Sequence, residues 1–146
     1  MIALNFDDEN CYNLSCEVQF GIMLCELGFN VTICPYTNES FWRQLASGIN
    51  DKCPGCVDRN YLQCYAGGAG NNPCNWQFDN VPVYPGLFGQ HGSGCNQGDS
   101  PAQVEQILEG WKTECGITGA WIWLYDSVEK CIPVSKYADA IKEALG

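Results

Sequence analysis

Short apolar runs alternate with longer amphipathic stretches along most of this chain, and that alternation constrains its fold more than any other feature. Residues 2–9, IALNFDDE, begin as an apolar run and stop abruptly at Asp7, Asp8 and Glu9. A run of this kind, bounded by a polar cluster, reads as a buried strand. Residues 14–29 read as a helix with Val18, Phe20, Met23, Leu24 and Leu27 on its apolar face and Gly28 near its end. Residues 30–34 form a β-branched strand stopped by Pro35. Thr37 or Asn38 can cap a second helix, 39–49, that turns Phe41, Trp42 and Leu45 to one side. Strands follow at 57–65, at 81–87 (interrupted by prolines) and at 119–125, the most hydrophobic. Ser100 and Pro101 open a helix that ends at Gly116, with Val104, Ile107, Leu108 and Trp111 inward. A last helix, 136–145, is capped by Ser135 and turns Tyr137, Ile141 and Leu145 inward. Five strands with helices between most of them imply an α/β fold with a parallel sheet and right-handed crossovers.

Two segments break the alternation. Residues 66–80 and 88–99 are rich in Gly and Asn without helical period, so they read as loops. Gly67, Gly68 and Gly70 do not make a phosphate cradle, because no Lys or Ser/Thr follows at the required spacing. No cofactor is expected. With 146 residues, 46% of them apolar, the chain can build one domain with a real core. Its formal charge of −10 argues against nucleic acid and anionic membrane surfaces as partners, since both need basic patches. No apolar run approaches a membrane span.

Eleven cysteines point to an oxidising, extracellular setting. Glycosylation sequons at Asn13, Asn30 and Asn38 agree. The residues after Met1 lack a signal-peptide pattern, so a secreted chain of this kind is expected to be processed or to belong to a longer one. The odd count leaves at least one thiol unpaired if the others pair within the chain. Cys11 and Cys16 could close a small loop. Cys53 and Cys56 form a C-x-x-C, but no second pair or spaced histidine accompanies them and His91 stands alone, so a metal site is not expected.

Chemistry in a parallel sheet gathers where the strands end. Side chains alternate along an extended strand, so Asn5, Asp7 and Glu9 would share one face. Aligned carboxylates can drive one another's pKa values apart, which is what a general acid beside a charge-stabilising base requires. The same acids can also cap the next helix or solvate the loop. Tyr36, Gln63, Tyr65, Tyr84, Trp123 and Asp126 fall at the other strand ends, and a rim of this sort suits a ligand. Trp121 reads as core.

Residues 5–9, NFDDE, resemble the D-x-D-x-E signature that closes the fourth strand of family-18 glycoside hydrolases, the chitinase type. Gln63-Cys64-Tyr65 resembles the M-x-Y ending their sixth strand, and GAWIWLYD at 119–126 resembles their eighth. The resemblance covers nearly the whole chain and corresponds to strands four to eight of a (β/α)8 barrel, a partial TIM-type barrel.

The resemblance implies substrate-assisted hydrolysis of a β-linked N-acetylhexosamine. Glu9 would protonate the leaving oxygen, and Asp7 would orient the acetamido group as its carbonyl attacks the anomeric carbon. Tyr65 would donate to that carbonyl, and Trp123 would floor the sugar. Asn5, Gln63, Tyr36, Tyr84 and Asp126 would line the site. Three departures stand out: Asn5 replaces the first acid, Asp8 occupies the usual bulky position, and Ala66 follows Tyr65. Five strands cannot close a barrel, so a preceding segment or self-association is expected to cover the two edges. The alternatives to an enzyme are a non-catalytic carbohydrate-binding module and a structural glycoprotein subunit.

Overall fold

The computed structural model describes residues 2–78 and 80–146. Strand β1 (Ala3–Phe6) leads into helix α1 (Leu14–Glu26), β2 (Asn30–Ile33), α2 (Glu39–Asn50) and β3 (Val57–Asn60). Two short 3-10 turns, Ala66–Gly68 and Pro73–Asn75, stand where a crossover helix would be expected. They are followed by β4 (Gly86–Phe88), α3 (Pro101–Cys115), β5 (Trp121–Trp123), α4 (Tyr125–Val128) and α5 (Val134–Leu145).

Every strand pair is parallel: β1 with β2, β2 with β3, and β4 with β5. Parallel bridges at Asn60–Val83 and Gln63–Gly86 join the two groups. Tyr84 N–H donates to Asn60 O at 2.8 Å, Gly86 N–H to Leu62 O at 2.7 Å, and Cys64 N–H to Gly86 O at 2.9 Å. The five strands therefore run in chain order across one sheet. The barrel is partial and does not close.

Local sequence explains the helix ends. At α1, Asn13 accepts from the Cys16 N–H while its own N–H donates to Glu17. Gly28, at φ 86, halts the helix before residue 29. Ser100 and Gln103 form a reciprocal capping box at α3, Pro101 opens its first turn, and Gly116 ends it at φ 70. The last helix departs from expectation. It starts at Val134, whose N–H donates to Glu129 at 2.7 Å, so Glu129 and not Ser135 caps it. The short helix α4 takes Tyr125, the last residue of the expected strand, into its first turn.

Helix α2 supplies much of the core, burying Phe41, Trp42, Leu45, Ala46 and Ile49 against Val31, Ile33 and Val57. On the far side, α3 and α5 pack on each other, burying Val104, Leu108 and Tyr137. Disulfides Cys74–Cys115 and Cys95–Cys131 tie this side to its loops. The loop expected between Cys11 and Cys16 does not form, as both are free and exposed. On α1, Phe20, Met23 and Leu27 face out, although periodicity assigns them to the buried face; Gly21 and Leu24 are what α1 buries. Together with Ile2 and Leu4 they leave apolar surface at the β1 edge, and Trp123, Leu124 and Tyr125 do the same beside β5. No described helix is long and apolar enough to cross a membrane.

Candidate active site

The sheet face away from the helices is organised by contacts between strands. Thr32 Oγ1 donates to Asn5 Oδ1 at 2.8 Å, joining β1 to β2. One layer nearer the carboxyl ends, buried Gln63 donates through Nε2 to Cys34 O at 3.0 Å and to Asp7 Oδ1 at 3.3 Å. Gln63 thus ties the carboxylate after β1 to the chain beyond β3. Tyr65 follows two residues later on the same face and stacks on Trp123 of β5, with ring centroids 5.9 Å apart and planes 12° from parallel. Trp121 meets Tyr65 edge-on at 5.6 Å. Trp123 remains 40% exposed, so the platform is open to a ligand. The peptide bond from Trp123 to Leu124 is cis.

The Tyr65 hydroxyl is pushed well above the usual phenol range, first by burial and then by the neighbouring Cys34 thiol and the carboxylates of Asp7 and Glu9. It therefore stays protonated at any ordinary pH and acts as a hydrogen-bond donor. Cys34 lies among the same groups, and burial with the nearby Asp7 raises its thiol to about 12, so it is neutral.

The three acids separate into different roles. Strand β1 ends at Phe6, so the expected alternation does not carry through to Glu9. Asp7 remains in the rim through Gln63. Asp8 Oδ1 accepts from the N–H groups of Asn10 (3.3 Å) and Cys11 (3.0 Å), which is the ordinary capping use of an acid at a loop start. Glu9 is solvent-exposed, within electrostatic reach of Tyr65 and Tyr12.

Other expected rim residues lie elsewhere. Tyr84 belongs to a lower layer, where its ring meets Tyr61 at 5.9 Å and its carbonyl accepts from Trp121 Nε1 at 3.0 Å. The reason is that β4 runs to Phe88, one residue past the expected strand. Asp126 sits exposed in the first turn of α4, because the chain turns helical straight after β5. Tyr36 is half-buried and covers Gly67; an added Cβ there would meet its ring at 2.9 Å. Its carbonyl accepts from Asn71 at 2.8 Å.

Trp121, which the sequence assigns to the core, joins the rim, as do Phe88 and His91, to which the sequence assigns no place there. Trp121 is half-buried on the open face, not core, and the signal was its two-residue spacing from Trp123, which fixes both on one side. Phe88 touches Tyr65 at 5.9 Å and stacks on His91 at 3.6 Å. These rings border a cavity of about 520 Å³ that also reaches Asp99, Ile107 and Trp111.

The sequons differ in setting. Asn38 is exposed, with no side-chain capping bond. Asn13 is exposed but caps α1, while Asn30 is half-buried and its amide donates to Asp58 at 2.6 Å. Among the described residues no cluster of His, Cys, Asp or Glu could hold a metal ion.

No protein-family model and no curated protein sequence matches the chain. Among solved structures it is similar to the catalytic domain of a family GH18 chitinase from the fern Peteris ryukyuensis, with a TM-score of 0.61 and 14% identity. The likeness covers 99% of this chain and 56% of the fern chain, so this chain spans little more than half the length of that neighbour. At that identity the likeness establishes a chitinase-like fold.

Proposed function

We propose that this chain acts on β-linked N-acetylhexosamine glycans of the chitin type, by substrate-assisted acid catalysis at the rim formed by Asp7, Gln63, Tyr65 and Trp123. Glu9 gives its proton to the leaving glycosidic oxygen while the substrate's acetamido oxygen attacks the anomeric carbon. Asp7, held by Gln63, orients the acetamido N–H. Tyr65, kept protonated by its surroundings, donates to the acetamido carbonyl. Trp123 takes the apolar C–H face of the ring. The observation that carries this reading is the Gln63–Asp7 hydrogen bond beside the Tyr65–Trp123 stack, which brings an anion, a neutral donor and a flat apolar surface to one rim.

A general acid must hold its proton near neutral pH, and burial is one way to achieve that. Three further strands, supplied by a preceding segment or a partner chain, would complete an eight-stranded barrel and dry the rim around Glu9. We assign the protein to the extracellular space, supported by two disulfides and by the exposed sequon at Asn38.

A second reading, glycan binding without turnover, is favoured by one observation. Asn5 replaces an acid and is engaged with Thr32, while Glu9 faces water. Release of chromophore from a di-N-acetylchitobioside separates the two. Turnover that is lost in Glu9→Gln, with an unchanged melting temperature, supports the hydrolase. Retention of chitin oligomers by the wild type and Glu9→Gln, without turnover in either, selects binding. Neither turnover nor binding that depends on Trp123 would sink both.

A further inference from the structure

Three of the free cysteines come together at the opposite end of the sheet from the glycan rim. Cys25 lies in the last turns of α1, and Cys53 and Cys56 lie in the loop from α2 to β3. The helices are parallel neighbours that approach closely one turn earlier, where a Cβ on Gly21 would meet Ile49 Cδ1 at 2.3 Å. Four residues on from each partner stand Cys25 and Cys53. The helical spacing holds to Cys53, whose N–H donates to Ile49 O at 2.9 Å. Close approach at Gly21 and Ile49 is therefore repeated one turn later as a thiol facing a thiol. Cys56 completes the group from below, its sulfur 3.7 Å from Phe29 O and 4.0 Å from Gly21 O. Cys53 is partly exposed, whereas Cys56 is buried.

We propose that Cys25 and Cys53 are a third disulfide site, which staples α1 to the α2–β3 loop when the protein meets a disulfide oxidant. The thiolate of accessible Cys53 attacks a small disulfide such as oxidised glutathione, releasing one thiol and forming a mixed disulfide. Cys25 then displaces the second glutathione thiol and closes the protein bond. Two protein thiols are oxidised, one disulfide is reduced, and the two protons end on the glutathione thiols. Interaction with Cys25, more than burial, raises the Cys53 thiol to about 11, so the exchange runs through a small thiolate fraction and quickens as pH rises.

The test is non-reducing peptide mapping of the full chain after equilibration with a glutathione redox couple. The expected result is a Cys25–Cys53 cross-linked peptide beside the Cys74–Cys115 and Cys95–Cys131 pairs. Alkylated Cys25 in protein that retains both of those pairs overturns the proposal, and so does a Cys25–Cys56 peptide in the wild type. Thermal melting gives a second readout. Oxidised Cys25→Ser should melt about 5–10 °C below oxidised wild type, and the gap should close when both are reduced. An equal gap in both redox states would assign the loss to packing and overturn the staple.

Discussion

The two halves of the molecule are held together differently. In residues 2–64, three strands alternate with full crossover helices, and all seven free cysteines lie there without a disulfide. Beyond residue 64, the crossover between β3 and β4 is only Gly-rich loop with two 3-10 turns, and both disulfides are found there. A helix buries a strand face by contact area, whereas a loop offers little area and keeps high chain entropy. Cross-links that limit the unfolded chain offset that deficit. The candidate site straddles the boundary. Its carboxylates come from the packed half, and its rings come from β5 of the cross-linked half and from Tyr65 at the junction.

The largest test removes packing from the first half. Trp42 is fully buried in the first turn of α2, against Phe41 at 5.4 Å and Tyr12 at 6.3 Å. Trp42→Ala should cost about 3–5 kcal/mol in denaturant titrations, because no covalent tie compensates the cavity. The matched test in the second half is Cys74→Ser with Cys115→Ser. Loss of that bond should cost about 2–4 kcal/mol, and added reductant should bring the wild type down towards the double variant. A double variant as stable as oxidised wild type would break the comparison, since the loops would then be held by packing alone.

At the boundary the effects fall on binding. Trp123 is partly exposed and carries little core packing, so Trp123→Ala should weaken chitin-oligomer binding by about 1–2 kcal/mol, roughly five- to thirty-fold, with little change in melting. Gln63→Leu addresses the joint itself. It removes the donor to Asp7 and to Cys34 O while keeping the volume, and should cost about 1–3 kcal/mol through the carbonyl and carboxylate left behind. Calorimetry on both variants distinguishes a lost ring from a misplaced acid.

These same contrasts explain what could be read in the chain beforehand. Helix α3 was legible at both ends, because Ser100, Pro101 and Gly116 act within one turn of where they stand. The five strands and their order were legible from apolar runs and crossovers. The apolar face of α1 misled, because periodicity says that Phe20, Met23 and Leu27 share a side but not whether anything packs on it. At the rim, Gln63, Tyr65 and Trp123 were placed from the strand ends on which they fall, Gln63 and Tyr65 on the chain just beyond β3. The same reading misplaced Asp126 and Tyr84, because each depended on where a strand stops, and prolines before β4 and the helical turn after β5 moved those ends. Disulfide partners depend on tertiary approach, which spacing along the chain does not carry.

The smallest effect concerns a charge in the cross-linked half. Asp99 is half-buried beside the cavity under Phe88, and loss of water raises its carboxyl above the usual range. Its contacts to Phe88 and Tyr137 run through its own backbone N–H and carbonyl, so Asp99→Asn keeps them. A raised folded-state value means that the folded protein binds the proton more tightly than the unfolded chain. The penalty is therefore absent below the ordinary aspartate range and grows as pH rises through the folded value. At pH 7 Asp99→Asn should be more stable than the wild type by no more than about 0.5 kcal/mol, since partial exposure screens the charge. The advantage should vanish near pH 3, which paired urea titrations at the two pH values will read. A wild type that gains on the variant with rising pH would mean that Asp99 is stabilised as a carboxylate, and the loops of this half would then be held by a charge as well as by sulfur.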